Sequence, residues 1–160
     1  LCLAKRSEIG RFEHVFCTNR LITHHSVSLK EVNYIIPLYL YPDEPKGRML
    51  DKEISKPERT QNFTPKFLQA IKEALGTEPT PEETFYYIYA VLYSPTYRKR
   101  YEDFLKIDFP RVPIPKDYVK FKNLSELGKE LVELHLLKHP SLSETEIGFP
   151  VSGSNTVEKV

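Results

Sequence analysis

The chain has 160 residues, 40% hydrophobic and 28% charged, with 23 basic against 22 acidic side chains and a formal net charge of +1. That supports one hydrophobic core and leaves too little bulk charge to wrap a polyanion, so any nucleic-acid partner must be met by a local patch. The longest apolar run, Tyr34 to Tyr41, is broken by Pro37 and falls short of the roughly 18 residues needed to span a bilayer, which excludes a membrane protein.

Two cysteines, Cys2 and Cys17, cannot form a disulfide framework and fit a reducing compartment. No secretory signal pattern opens the sequence, so a cytoplasmic location is expected. The chain begins at Leu1 and reads as a piece of a longer polypeptide.

Residues 1–42 are rich in β-branched and aromatic side chains. Phe12 to Cys17 partly alternates as a half-buried strand would, and Val32 to Tyr41 reads as a second, more deeply buried strand with an edge or bulge at Pro37. Between them, residues 18–26 read as an ordered loop with a short strand at Leu21 and Ile22. The stretch from 43 to 63 carries charge and hardly any large apolar residue, so a mobile surface connection is expected there.

Helix signals then follow. Thr64-Pro65 predicts a helix over about 65–75, ended by Gly76. Thr80-Pro81-Glu82-Glu83 has the form of a capping box, and the all-round apolar run from Phe85 to Tyr93 predicts the central core helix. Ser94-Pro95 opens an amphipathic helix with Tyr97, Tyr101, Phe104 and Leu105 inward. Pro110, Pro113 and Pro115 make 107–115 extended, and Asn123-Leu124-Ser125-Glu126 predicts the start of a last helix with a leucine face from Leu124 to Leu137. The expectation is an α+β unit: a β-rich N-terminal third with short strands over 1–42, a charged connection over 43–63, about four helices over 64–140, and a flexible tail over 141–160.

Catalytic patterns are missing. The six glycines never take the spacing that cradles a phosphate chain, and Cys17 with His24 and His25 does not complete a zinc set. His135 and His139 are spaced to share a helix face, but they read as C-terminal histidines interacting with the helix dipole. Tyr86, Tyr87, Tyr89 and Tyr93 could stack on bases; in a core helix they are expected to supply buried area instead.

Two segments are basic: residues 1–30 hold five basic and two acidic side chains, and residues 96–122 hold eight and four. This asymmetry permits a basic face for phosphate contacts, with Arg11 and Lys30 as first candidates and Arg98, Lys99 and Arg100 as second, while solvated lysines and arginines are the alternative reading. Asn19, Arg20, Thr23, His24, His25 and Ser26 form the candidate base-reading loop, because such side chains can offer forked or paired hydrogen bonds to base edges. They also cap turns and strand ends.

The order of the blocks carries a resemblance. Phe12-Glu13-His14-Val15-Phe16-Cys17-Thr18-Asn19-Arg20-Leu21-Ile22-Thr23-His24-His25-Ser26, then Pro37-Leu38-Tyr39-Leu40-Tyr41-Pro42, then Tyr87 to Tyr101 and Phe104 to Val112-Pro113, resemble the C-terminal specificity region of type ISP restriction-modification enzymes and related fused adenine methyltransferases. The likeness covers most of residues 9–139. It implies that 1–140 is part of a DNA target recognition domain, non-catalytic in itself, reading double-stranded DNA for a bacterial or archaeal parent enzyme. The implied partners are duplex DNA and a methyltransferase domain of the same polypeptide. No cofactor is expected in this segment; S-adenosylmethionine, with ATP and Mg, is implied for other domains. The Asn-Pro-Pro-Tyr type motif of that methyltransferase class is absent, and Asn19 stands where family members usually carry an acidic residue. The rival expectation is a protein-interaction or scaffold module whose Tyr-rich helices pack on neighbouring domains.

Overall fold

Short antiparallel strands followed, among the described residues, by five α-helices make the chain an α+β unit in the computed structural model, as expected. The structure describes residues 1–6, 11–23, 25–27, 30–41, 59–143, 153–154 and 156. Strands β1 (Cys2–Ala4), β2 (Val15–Phe16) and β3 (Asn33–Ile35) form an antiparallel sheet in the order β2-β1-β3. Leu3 lies opposite Val15 on one side and Tyr34 on the other. Cys2, Leu3 and Ala4 of this central strand are all buried. β4 (Tyr39–Leu40) pairs antiparallel with β5 (Thr60–Gln61) as a separate ribbon, pinned where the Asn62 amide side chain donates to the Pro37 carbonyl at 2.9 Å.

Several strand expectations are corrected. The run from Val32 to Tyr41 is two short strands, β3 and β4, separated at Pro37, whose missing amide donor interrupts any ladder. It is not deeply buried either: Tyr34, Ile35, Ile36, Leu40 and Tyr41 are exposed. Leu21 and Ile22 form no strand. Residues 43–58 of the charged connection lie outside the described residues, and Thr60–Gln61 is β5 rather than loop.

Three helices begin where their capping signals place them. The Thr64 hydroxyl accepts from the Phe67 amide at the start of α1 (Pro65–Leu75), and Gly76 closes it in the left-handed region at φ 71°. α2 (Pro81–Tyr93) has the full reciprocal capping box between Thr80 and Glu83, and Ser94 caps α3 (Pro95–Arg100). The amphipathic helix breaks at Tyr101 into α3 and α4 (Glu102–Leu105). Only Tyr97 and Leu105 of its expected inward set are buried; Tyr101 and Phe104 are exposed.

α5 (Tyr118–His135) starts earlier than expected, with the Asp117 carboxylate accepting from the Lys120 amide at 2.8 Å. Its buried face is Phe121, Ser125, Gly128 and Val132, while Leu127, Leu134 and Leu137 point outward. Small residues turn inward because α2 and α5 cross closely: a Cβ on Gly128 would sit 2.0 Å from the Tyr86 carbonyl oxygen.

The core is α2, with Tyr89 and Leu92 fully buried, packed against Phe121 of α5, Ile71 of α1 and Leu3 and Val15 of the sheet. Its tyrosines do more than fill space. Tyr87 donates to the Pro113 carbonyl at 3.0 Å and Tyr93 to the Val15 carbonyl at 2.6 Å, while Tyr97 of α3 donates to the Arg111 carbonyl at 2.9 Å. Phenolic hydroxyls thus satisfy carbonyls of the irregular 107–115 segment and of β2, where a phenylalanine would leave them unpaired.

Candidate nucleic-acid interface

The loop after β2 is held locally. Thr18 Oγ1 both accepts from the Arg20 amide at 3.0 Å and donates to the Arg20 carbonyl at 3.1 Å, a hydroxyl turn that leaves the Asn19 and Arg20 side chains exposed at its apex. Further on, Thr23 and Ser26 close on each other, with hydroxyls 3.1 Å apart and Ser26 donating to the Thr23 carbonyl at 3.0 Å. These two therefore shape the loop. His25 is exposed beside them, and His24 lies outside the described residues.

Asn19 and Arg20 open onto a groove of about 660 Å³. Its other walls come from distant sequence: Tyr39 of β4, and Glu82, Phe85 and Tyr86 of α2. Tyr39 donates to the Glu82 carboxylate at 2.5 Å, and the Arg59 guanidinium lies 4.0 Å from the Tyr39 ring centroid. The hydrogen bond to Glu82 holds the Tyr39 phenol above its ordinary pKa, and burial does the same for Tyr86. Both stay neutral donors at neutral pH. Of these five residues only Tyr86 carries a stacking signal in the sequence; the others are ordinary strand, loop, cap or core residues in their own segments.

The phosphate candidates separate into two groups. Arg11, Arg98 and Lys99 meet around a shallow pocket that also holds Glu13 and Glu102. Arg98 is committed to the fold: its Nε donates to the Leu92 carbonyl at 2.7 Å, and its guanidinium lies 4.5 Å from the Tyr93 ring and 5.6 Å from Phe12. Lys99 and Arg100 are exposed at the end of α3, and Lys30 is exposed ahead of β3. Local acids offset part of the basic segment, as in Lys106 with Glu102 at 3.0 Å and Lys122 with Glu83.

The histidines of α5 and beyond face protein. Tyr89 and His135 Nδ1 lie 2.7 Å apart, and His139 Nδ1 is 2.7 Å from the Ser141 hydroxyl. Among the described residues no three metal-type side chains come together, and no helix is long and apolar enough to cross a membrane.

A family model described as the type ISP C-terminal specificity domain matches residues 1–160. The chain belongs to that family. No curated protein and no solved structure matches it. A type ISP specificity domain serves DNA target recognition in a restriction-modification enzyme.

Proposed function

We propose that this specificity domain reads duplex DNA for an adenine-specific methyltransferase carried on the same polypeptide, and performs no chemistry of its own. S-adenosylmethionine, with ATP and Mg, belongs in this reading to the other domains. Base edges are read by Asn19 and Arg20, the loop side chains that share a groove, and His24 and His25 of the same stretch of sequence are the further candidates. Arg11, Lys30, Lys99 and Arg100 supply phosphate contacts. The observation that carries this assignment is the hydrogen-bonded Thr18 turn that presents Asn19 and Arg20 together over one groove.

The test is methylation mapping with the intact polypeptide. Arg20→Ala is expected to lower affinity for the target or relax the methylated sequence at one position. If both stay as in the unaltered enzyme, Arg20 is a loop residue only. A second reading is favoured by one feature: Phe104, Ile107, Leu127 and Leu137 put apolar side chains on the surface of the helical half. In that reading the helices dock on a neighbouring domain.

A further inference from the structure

We propose that the groove beneath the 18–21 loop receives an unstacked nucleobase, with Leu21 as the wedge that exposes it. This rests on the DNA-reading role above and names the ligand of the same site. Leu21 is 102% exposed, so its entire isobutyl group stands in water at the tip of a loop that the Thr18 turn holds in shape. Single exposed leucines are ordinary on protein surfaces and carry no argument alone. Here the residue directly follows Asn19 and Arg20 and lines the same groove, the position from which an apolar side chain enters a base step and unstacks it.

The groove suits what such a wedge would release. Its volume of about 660 Å³ is ample for a base with its sugar. Tyr39, Phe85 and Tyr86 supply aromatic surface for stacking, and Asn19 supplies both a donor and an acceptor for a base edge. Glu82 disfavours phosphate at the Tyr39 side of the groove, while Arg20 lines the same groove from the loop side. A carboxylate in the wall repels phosphate but accepts a hydrogen bond from an exocyclic amine, and its second oxygen remains beside the one that Tyr39 engages. Adenine, cytosine and guanine, which carry an exocyclic amine, are the bases the groove favours over thymine.

The intact polypeptide, with its tyrosines and phenylalanines selectively labelled, is titrated with dAMP, dCMP, dTMP and inorganic phosphate while the ring resonances of Tyr39, Phe85 and Tyr86 are followed by NMR. In parallel, its affinity is measured for two duplexes of about 30 base pairs that differ only in a central mismatch. Stacking is expected to move the three rings with dAMP and dCMP, less with dTMP, and not with phosphate. The mismatched duplex, whose base is already partly unstacked, is expected to bind about tenfold more tightly. Leu21→Ser should abolish that preference while leaving the unfolding midpoint unchanged, because the side chain is fully exposed to solvent. Equal binding of both duplexes, rings that ignore dAMP, or a preference that survives Leu21→Ser overturns the base-capture proposal and leaves duplex reading standing. Absence of affinity for either duplex removes both.

Discussion

Replacing Gly128 by alanine tests the packing that positions the groove. The added Cβ would lie 2.0 Å from the Tyr86 carbonyl oxygen, 2.7 Å from its carbon and 3.2 Å from the Ala90 Cβ. Contact between such atoms is comfortable at about 3.5 Å, so the two helices must separate by an ångström or more. The obstacle is helix backbone, which cannot rotate away as a side chain would. Overpacking of this kind costs about 3 kcal/mol, and the better helix propensity of alanine returns about 1, leaving a net loss of about 2 kcal/mol. In a chain of this length that lowers the melting temperature by about 6 °C. Gly76→Ala is the control: nothing lies within 4 Å of the added Cβ, and its cost comes from φ 71° alone. Because the Tyr86 carbonyl meets Gly128 while its ring lines the groove, Gly128→Ala should also weaken DNA binding, whereas Gly76→Ala should not. Urea unfolding and thermal melts read the first effect. An unchanged or raised melting temperature for Gly128→Ala would refute the close crossing of α2 and α5.

Thr80→Ala removes the hydroxyl that accepts from the Glu83 amide at 3.2 Å and should cost about 1 kcal/mol in denaturant unfolding. Arg98→Ala should cost about 2 kcal/mol, because it removes the hydrogen bond to Leu92 and the packing on Tyr93, while Lys99→Ala stays within about 0.5; similar costs for the two would show that Arg98 is a surface residue. Burial holds His14 and His135 below the ordinary histidine pKa, so the unfolded chain takes up their protons first as pH falls. Their contribution is therefore complete above about pH 6.5 and declines below it. The hydrogen bond from Lys122 holds the Glu83 carboxyl below the usual range, so its contribution is present above the unfolded carboxyl pKa and lost as pH falls through its folded value. The urea midpoint should fall steadily from about pH 7 to about pH 4, and a rise between about pH 7 and 5.5 would contradict these placements.

The helix starts were legible where the signal was local. Thr64-Pro65, Thr80-Pro81 with Glu83, and Ser94-Pro95 each cap the helix that follows them, because a cap is satisfied within a few residues of chain. α5 was harder. Its capping residue, Asp117, precedes Tyr118 and Val119, both exposed, and its buried face is set by small residues opposite α2 rather than by its leucines. Of the stripe that leucine periodicity marked, Leu124 and Leu131 pack against the core while Leu127, Leu134 and Leu137 are exposed, since the depth of a helix crossing is a property of two segments at once. The strands were overextended for a similar reason: pairing of Cys2 with Phe16 and Ile35 depends on chain brought from elsewhere. Of the candidate groove, the loop residues Asn19 and Arg20 were legible as base readers. Tyr39 and Glu82 meet across 43 residues, and no periodicity or motif in either segment announces the groove that they wall.

Duplex DNA affinity measured over a range of salt concentrations bears most directly on the claim that this specificity domain contacts its target through a few exposed cations and one loop. The logarithm of affinity should fall linearly with the logarithm of salt, and Lys99→Ala and Arg100→Ala should each make the slope shallower by about 0.9 for every phosphate the variant no longer neutralises. No affinity at low salt, or an affinity that salt does not change, would contradict the account.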